Sequence, residues 1–258
     1  MTDTAKKTVI ISVKDIWKSY NNVNILKGLN LDIYEGETVV ILGRSGAGKS
    51  VLLRQVIGIE RPDKGTIEVN GQILSEMGPS KRLKAVKSSG MLFQGAALFD
   101  SMNVGENTAF YLRQHEKLSE KEVQNRVADA LKMVGLENTQ KKMPSELSGG
   151  MRKRAALARL IVYRPSIVLY DEPTTGLDPI TSMQINELIN QTQKELKATS
   201  IVVTHDIRSA FTVGDRFAFH DEGKIAVIAD KKDFLNSEDS RLKAFFENAI
   251  LTQKILEQ

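Results

Sequence analysis

A glycine-rich segment of eight residues is the feature that most restricts the folds open to this chain. It fits the pattern G-x-x-x-x-G-K-[ST] and consists of Gly43, Arg44, Ser45, Gly46, Ala47, Gly48, Lys49 and Ser50. The apolar residues 39–42 before it are typical of a buried strand. The apolar residues after it recur at helical spacing: Val51, Leu52, Leu53 and Val56. Strand, loop and helix in this order predict a cradle for the phosphates of a nucleoside triphosphate.

Two side chains of this loop have predicted roles of their own. Lys49 supplies a positive point charge to the phosphates, and Ser50 holds Mg²⁺ through its hydroxyl. We expect the whole segment, together with Val51 at the start of the helix, to contact the nucleotide.

Composition narrows the class of protein. The chain has 258 residues, enough for one large domain or two subdomains, and it contains no cysteine, which excludes disulfides and thiolate metal sites. No run approaches the ~20 apolar residues that span a bilayer, and the polar start lacks a signal-peptide core, so we expect a cytosolic protein. The net charge of +4 suits either an anionic partner, such as nucleic acid or a membrane face, or ordinary surface charge.

The pattern predicts strands in the first part of the chain and helices in the middle. Apolar and polar residues alternate at 29–34 and 66–70, which predicts antiparallel strands beside the strand of the phosphate loop. Residues 103–162 show helical periodicity, with a capping box at Ser119 and Glu122. The middle part is therefore predicted to be a separate helical insert.

Strands alternate with a helix in the third part of the chain. Apolar strands are predicted at 167–170 and 201–203, separated by a helix that Asp178 caps and Pro179 opens. Such alternation indicates a parallel sheet. We predict one domain over residues 1–235, with the helical subdomain at about 95–162, and a helical extension at 236–258.

Two adjacent carboxylates end the strand at 167–170. Ligands of parallel sheets bind at the carboxyl ends of the strands, where Asp171 and Glu172 are expected. Asp171 is predicted to support Mg²⁺, and Glu172 to polarise the water that attacks the terminal phosphate. Because neighbouring side chains of a strand point to opposite faces, each carboxylate can have its own role.

A third motif precedes a basic amphipathic helix. Leu147 is followed by Ser148, Gly149 and Gly150, which is either an ordinary capped helix start or an anion site at a helix N-terminus. With the phosphate loop before it and the Asp-Glu strand after it, this motif resembles the signature of ATP-binding-cassette (ABC) ATPases. The resemblance implies an α/β fold with a RecA-like parallel sheet core, an antiparallel β subdomain and a helical subdomain. It also implies ATP and Mg²⁺ as ligands, and a head-to-tail dimer in which the signature contacts the ATP of a second copy.

The resemblance assigns four further residues, one by one. Tyr20 stands where an aromatic ring stacks on adenine, although Trp17 is nearby and an aromatic in a strand also serves packing. Gln94 matches the glutamine that senses Mg²⁺ and the γ-phosphate, and Asp178 matches an aspartate at the dimer interface. His205 matches the histidine that contacts the γ-phosphate, whereas His115 and His220 are interpreted as surface or core residues.

The signature region is similar to one subgroup of this family. Met151, where many cassettes carry glutamine, and the run that ends at Arg159 resemble the Mla-type ATPases, which drive phospholipid trafficking; a methionine there also fits neutral packing. The segment 93–104 is similar to that subgroup too. The resemblance implies a multi-spanning permease, an MCE-domain protein and a small STAS-domain protein as partners, and a place on the cytoplasmic face of the bacterial inner membrane. Leu98, Phe99 and Met102 either line the groove for the permease or belong to the core.

Rival functions stay open at this point. One is an ABC transporter ATPase for another solute; another is a soluble cassette that acts on ribosomes or nucleic acid. Soluble cassettes of that kind usually have two cassettes in one chain or a long coiled-coil insertion. This chain shows one cassette with a short insert, so we expect no nucleic acid as a partner. A binding module with little hydrolysis is disfavoured because Glu172 and His205 are both present.

The end of the chain is predicted to be an amphipathic helix. Its apolar residues follow helical spacing: Leu242, Phe245, Phe246, Ala249, Ile250 and Leu256. That face packs on its own domain, on a second copy or on a membrane. Two lysines and one arginine are few for a membrane-surface helix, and we prefer a contact that helps to hold the dimer.

Overall fold

The computed structural model of the chain describes the backbone of residues 7–256 and the side chains of residues 7–248. The chain divides into two compact units. The first consists of the residues up to Lys87 together with those from Thr199 onwards, and the second of Ser88–Ala198.

Strands and helices alternate along most of the described chain. The strands are β1 (Val9–Tyr20), β2 (Val23–Tyr34), β3 (Thr38–Leu42), β4 (Lys64–Val69), β5 (Gln72–Ile73), β6 (Ser89–Leu92), β7 (Ile167–Asp171), β8 (Thr199–Thr204), β9 (Arg216–Asp221) and β10 (Lys224–Asp230). The helices are α1 (Lys49–Val56), α2 (Pro79–Ala85), α3 (Val104–His115), α4 (Glu120–Met133), α5 (Gly149–Ile161), α6 (Pro179–Leu196), α7 (Ile207–Val213), α8 (Lys231–Leu235) and α9 (Ser240–Leu256). Short 3-10 turns occupy Leu74–Glu76 and Pro144–Glu146.

The first unit contains two groups of hydrogen-bonded strands. An antiparallel sheet has the order β2-β1-β4-β5. In the other group β3 pairs in parallel with β8 on one side and β9 on the other, and β10 pairs antiparallel with β9. All five residues of β3 are buried, which is typical of a parallel strand covered on both faces.

The second unit combines two parallel strands with four helices. β6 pairs in parallel with β7, so that Leu92 lies beside Tyr170. The caps predicted from the sequence are confirmed: Ser119 and Glu122 form the capping box of α4, and Asp178 accepts hydrogen bonds from the first turn of α6. Across residues 7–256, the structure shows no helix whose length and hydropathy would suit a membrane span.

The strands around the phosphate loop differ from the prediction. The alternating segments do form antiparallel pairs, as expected, but they pair with one another. Their predicted place beside the phosphate-loop strand is wrong, because both hydrogen-bonded neighbours of β3 are parallel strands from the end of the chain. Alternation shows that a strand has one polar face, but it carries no information about the partner strand.

The start of α9 packs on its own unit. Leu242 and Phe245 are buried, and the Phe245 ring lies 5.3 Å from that of Phe219. Phe246 completes an aromatic cluster with Phe234, at 6.1 Å between ring centroids. Residues Ser240–Leu256 form a helix whose start places Leu242, Phe245 and Phe246 against its own unit, whereas the side chains of Ala249, Ile250 and Leu256 lie outside the described part. Its predicted contact with a second copy stays a prediction.

Replacement of Leu242 by alanine tests this packing. Leu242 is fully buried, so Leu242→Ala leaves a cavity and should lower the free energy of unfolding by about 2–5 kcal/mol in urea titrations. Lys243→Ala is the matched control on the exposed side of the same helix. Its ion pair with Glu238 is exposed, and its loss should change stability by less than about 1 kcal/mol. Equal stability of the two variants would show that α9 is not held by Leu242.

His220 is a buried polar residue beside the phosphate loop. It is 1% exposed, and among the described residues neither imidazole nitrogen has a hydrogen-bond partner. Because Leu42 pairs with Phe219, Gly43 at the start of the loop lies next to His220. Burial, reinforced by the charge of Lys49, lowers the pKa of His220 from 6.5 to about 4. The imidazole is therefore neutral at physiological pH.

This lowered pKa predicts a loss of stability in acid. Between pH 6.5 and about 4, the unfolded chain binds a proton at His220 that the folded chain does not bind. Stability should therefore fall by about 3 kcal/mol as the pH is lowered through this window, on top of the contributions of other groups. His220→Leu should remove that part of the slope in urea titrations at several pH values. His115→Leu, at an exposed site on α3, is the control that should keep it.

Candidate functional site

The phosphate loop of the first unit connects β3 to α1 through a left-handed glycine. Gly48 has φ 101°, a conformation that favours glycine. A Cβ atom at this position would come within 2.6 Å of the Ile25 side chain, so the close approach also requires glycine. Arg44, Ser45 and Gly46 are exposed, which leaves the outer side of the loop accessible to a ligand.

Lys49 stands at the first position of α1 and points back into the loop. Its side chain is buried, and Nζ donates to the carbonyl oxygens of Gly43 at 2.8 Å and Arg44 at 3.0 Å. The first turn of α1 contains no acidic residue, so the positive end of the helix dipole adds to the charge of Lys49. Ser50 is half-buried and Val51 is buried in the same turn. The loop thus combines exposed backbone with the charge of Lys49 and the start of a helix, which suits phosphate.

His205 lies in the first unit, directly after β8. Leu42 pairs with Thr204, so His205 follows the same end of the parallel strands as Gly43. The side chain of His205 is exposed, and the next residue, Asp206, caps α7 by accepting from the backbone N–H of Arg208 at 3.0 Å. The cap fixes the backbone on one side of His205, and β8 fixes it on the other.

Tyr20 is held at the end of β1 by contacts of its own unit. Its hydroxyl donates to the Glu60 carboxylate, and Lys18 lies over the ring at 5.5 Å from the centroid. Partial burial, followed by the hydrogen bond to Glu60, raises the pKa of Tyr20. The residue remains 39% exposed, so part of its surface is available for stacking. Trp17 is half-buried, and its indole N–H donates to Asp15 at 3.0 Å.

The two carboxylates of the second unit lie at the end of β7, and both are buried. Asp171 is the last residue of the strand, and Glu172 follows it with φ 48°. The sequence predicts that Glu172 continues the alternation of the strand. In the structure it instead turns out of the strand in a left-handed conformation. Its Oε2 accepts a hydrogen bond from the Thr175 hydroxyl at 2.9 Å. A strained residue that carries a buried carboxylate is a frequent feature of functional sites.

Gln94 lies in the second unit, two residues beyond β6. Its side chain is exposed, while its backbone carbonyl accepts a hydrogen bond from the buried Lys153. Lys153 also donates to the carbonyl oxygen of Glu172 at 3.3 Å. Burial lowers the pKa of Lys153, and the nearby charges of Asp171 and Glu172 oppose that shift. The structure thus brings Gln94, Asp171 and Glu172 together around one ammonium group.

The signature motif caps α5 beside the start of α6. The Ser148 hydroxyl accepts from the backbone N–H of Met151 at 3.2 Å, and Ser148 and Gly149 are exposed. A Cβ on Gly150 would come within 2.5 Å of the Thr181 side chain, whose hydroxyl donates to Asp178. Ser148, Gly150 and Asp178 therefore form one surface at two adjacent helix starts. The hydrogen bond from Thr181, followed by backbone N–H groups, lowers the pKa of Asp178.

Three side chains that hold this arrangement were missed by reasoning from the sequence. They are Lys153, Arg159 and Asn107, which donate hydrogen bonds to backbone carbonyls of residues 94–103. Lys153 could have been found, because it lies at helical spacing from the buried Leu157 and Leu160 and so places a charge on the apolar face of α5. Nothing in the sequence pattern indicates that Arg159 and Asn107 bond to these backbone carbonyls.

Comparisons with known proteins agree with this arrangement of residues. The family described as ABC transporter matches residues 26–175. The probable ribonucleotide transport ATP-binding protein mkl of Mycobacterium leprae is 40% identical over 237 residues, which cover 92% of this chain and 68% of that protein. The chloroplastic protein trigalactosyldiacylglycerol 3 of Arabidopsis thaliana is 37% identical over 253 residues, which cover 92% of this chain and 73% of that protein.

A solved structure gives the same result for the fold. The ATP-binding cassette MJ0796, determined as a dimer in a post-hydrolysis state with ADP and phosphate, superposes with a TM-score of 0.79. It is 30% identical, and the match covers 86% of this chain and 98% of that one. The match to the family spans more than half of the chain, and each of the two relatives covers 92% of it. The chain therefore belongs to the ABC transporter family, as one of its ATP-hydrolysing cassettes.

Proposed function

We propose that the chain is the ATP-hydrolysing subunit of a membrane transporter that moves phospholipids between membranes. The observation that carries the catalytic part is the buried Glu172 carboxylate, held in a strained backbone conformation next to Asp171. The proposal of a lipid cargo is supported by the Mla-like signature around Met151 and by the glycolipid in the name of the Arabidopsis relative.

ATP is the substrate, and the residues of this chain have separate tasks in its hydrolysis. Lys49 and the loop backbone bind the phosphates, and Tyr20 stacks on adenine. Glu172 accepts a proton from the attacking water and directs it at the γ-phosphate, while His205 hydrogen-bonds to that phosphate.

Mg²⁺ fits the donors that the chain offers. Ser50, Gln94 and Asp171 present oxygen atoms, which hard cations prefer, and one carboxylate with several waters and phosphate oxygens is a usual set for Mg²⁺. The ion, when bound, neutralises charge on the phosphates. We propose that Ser50 is a direct ligand and that Gln94 and Asp171 act on the ion or on its water shell.

ATP is proposed to join two copies of the chain head to tail. The surface of exposed Ser148, Gly149 and Asp178 and half-buried Gly150 has the anion-binding character of a helix start and is proposed to contact the ATP of the second copy. The solved dimer of MJ0796 supports this assembly. Because only the closed dimer completes both sites, ATP binding favours that state, and hydrolysis releases it.

The proposed partners follow from the lipid assignment. They are a multi-spanning permease, an MCE-domain lipid-binding protein and a small STAS-domain protein, with the chain placed on the cytoplasmic face of a bacterial inner membrane. Exposed Phe99 and half-buried Leu98 and Met102 offer apolar surface for the permease. The alternative is a transporter for another solute, which the names of two relatives favour: ribonucleotide transport for mkl, and methionine import for MetN of Clostridium tetani, 39% identical.

Removal of the charge of Glu172 should separate binding from hydrolysis. Glu172→Gln should lower the ATP turnover number by about 100-fold or more, because the general base is lost, while ATP affinity is kept. The measurements are phosphate release and binding of a fluorescent ATP analogue. Glu187→Gln, at an exposed site on α6, is the matched control. Unchanged turnover of Glu172→Gln would remove Glu172 from its proposed role.

His205→Ala should also lose most of the ATP turnover.

The cargo is tested by the partners that the ATP-bound form retains. Tagged Glu172→Gln, purified with ATP from detergent-solubilised membranes, should carry a multi-spanning permease and an MCE-domain protein, identified by mass spectrometry. Recovery of a permease with a solute-binding protein would instead support the alternative cargo. Recovery of ribosomal proteins without any membrane protein would contradict the transport proposal.

A further inference from the structure

Lys153 is a buried cation on α5 that joins two segments of the second unit. Its side chain is 5% exposed, and Nζ donates to the backbone carbonyls of Gln94 and Glu172. Gln94 follows β6 and Glu172 follows β7, so a single ammonium group connects the ends of the two paired strands.

The surroundings of Lys153 account for its burial. An ammonium group is costly to remove from water unless hydrogen bonds and opposite charges replace its hydration. Here two carbonyl oxygens accept from it, and the carboxylates of Asp171 and Glu172 favour its charged form. An apolar side chain at this position would leave both carbonyl oxygens without this donor.

The carbonyl of Glu172 belongs to a strained residue. With φ 48°, Glu172 adopts a left-handed conformation that costs about 1–3 kcal/mol for a residue with a side chain. The backbone of such a residue keeps its conformation only when neighbouring groups hold it. Lys153 Nζ and the backbone N–H of Thr175 both donate to its carbonyl oxygen at 3.3 Å, and the Thr175 hydroxyl donates to its carboxylate. The direction of the carboxylate therefore depends on both anchors.

A second cation of α5 holds the same loop further along. The Arg159 guanidinium donates to the carbonyls of Ala97 at 2.7 Å and Ala96 at 3.2 Å. Lys153 and Arg159 are six residues apart on one helix, and that helix is capped by Ser148. Helix α5 thus carries the signature residue, the cation that bonds to Glu172 and two of the side chains that hold the loop containing Gln94.

We propose that Lys153 is a positioning residue for ATP hydrolysis, which holds the Glu172 carboxylate and the Gln94 loop in their working geometry and links both to the signature end of α5. This inference rests on the proposed roles of Glu172 and Gln94. A nucleotide bound at Ser148 acts on the same helix, so a shift of α5 reaches the carboxylate through Lys153. Binding of ATP to the phosphate loop does not involve Lys153.

The test compares Lys153→Met with Lys153→Arg in the full chain. Lys153→Met shortens the side chain by one atom and removes the donors, and it should lower kcat by about 10- to 100-fold through misplacement of Glu172. The KM for ATP and the affinity for a fluorescent ATP analogue should change less than about threefold. Lys153→Arg keeps a charged donor and should restore most of kcat. Lys132→Met, at an exposed site on α4, is the control for loss of a lysine.

Arg159→Met separates the two anchors. It releases the carbonyls of Ala96 and Ala97 but leaves the bond to Glu172, so its kcat should lie between those of the wild type and Lys153→Met. If Lys153→Met does not fold, Lys153→Gln, which keeps a neutral donor, replaces it in the same comparison. Circular dichroism and thermal unfolding establish that the compared variants are folded.

Several outcomes would overturn the inference. Two concern Lys153→Met: a wild-type kcat, or a joint loss of kcat, affinity and thermal stability. The others are failure of all three Lys153 variants to fold, and a kcat of Lys153→Arg as low as that of Lys153→Met. Failure of the proposed function looks different. A fully active Glu172→Gln would remove the role of Glu172, whereas an inactive Glu172→Gln beside a fully active Lys153→Met refutes only the role of Lys153.

Discussion

The positions of the functional loops depend on the parallel pairing of short buried strands, because the register of each pair decides where the loops after the strands begin. In the first unit, Leu42 lies beside both Thr204 and Phe219. The phosphate loop and His205 therefore leave neighbouring strands at the same edge, and His220 lies in β9 at that edge. In the second unit, Leu92 lies beside Tyr170, and Gln94 and Asp171 leave that strand pair at one edge. The polar groups of each unit converge because the apolar strands that precede them are in register.

Buried cations that bond to backbone carbonyls occur in both units. Lys49 donates to the carbonyls of Gly43 and Arg44, and Lys153 to those of Gln94 and Glu172. Each cation thereby fixes the path of a loop that hydrogen bonds between strands do not reach. A carbonyl dipole stabilises a cation without neutralising it, so the positive field of Lys49 persists at the phosphate loop. The hydrogen bonds of Lys49 to the carbonyls of Gly43 and Arg44 thus fix the path of the phosphate loop and also place a positive charge beside it.

Much of the fold and the candidate site follows from local pattern. The phosphate loop, the caps at Ser119 and Asp178 and the buried strand before Asp171 are recognisable because each depends on residues a few positions apart. The strand neighbours of β3 were not predictable in the same way, because β8 and β9 come from more than 150 residues later in the chain. The left-handed turn at Glu172 was missed too, since glutamate has no preference for it and one of the groups that hold it, Lys153, belongs to another element.

Two consecutive alanines give the Gln94 loop an unusual mechanical property. Ala96 and Ala97 have φ of 63° and 50°, although neither is a glycine, and Arg159 holds both of their carbonyls. Each such residue stores about 1–3 kcal/mol of backbone strain, which returns when the residue relaxes. The energy needed to detach this loop from α5 is smaller by that amount than for an unstrained loop with the same hydrogen bonds. Loss of the Arg159 contact would therefore let both alanines relax, so this hydrogen-bonded segment is easier to release than an unstrained one.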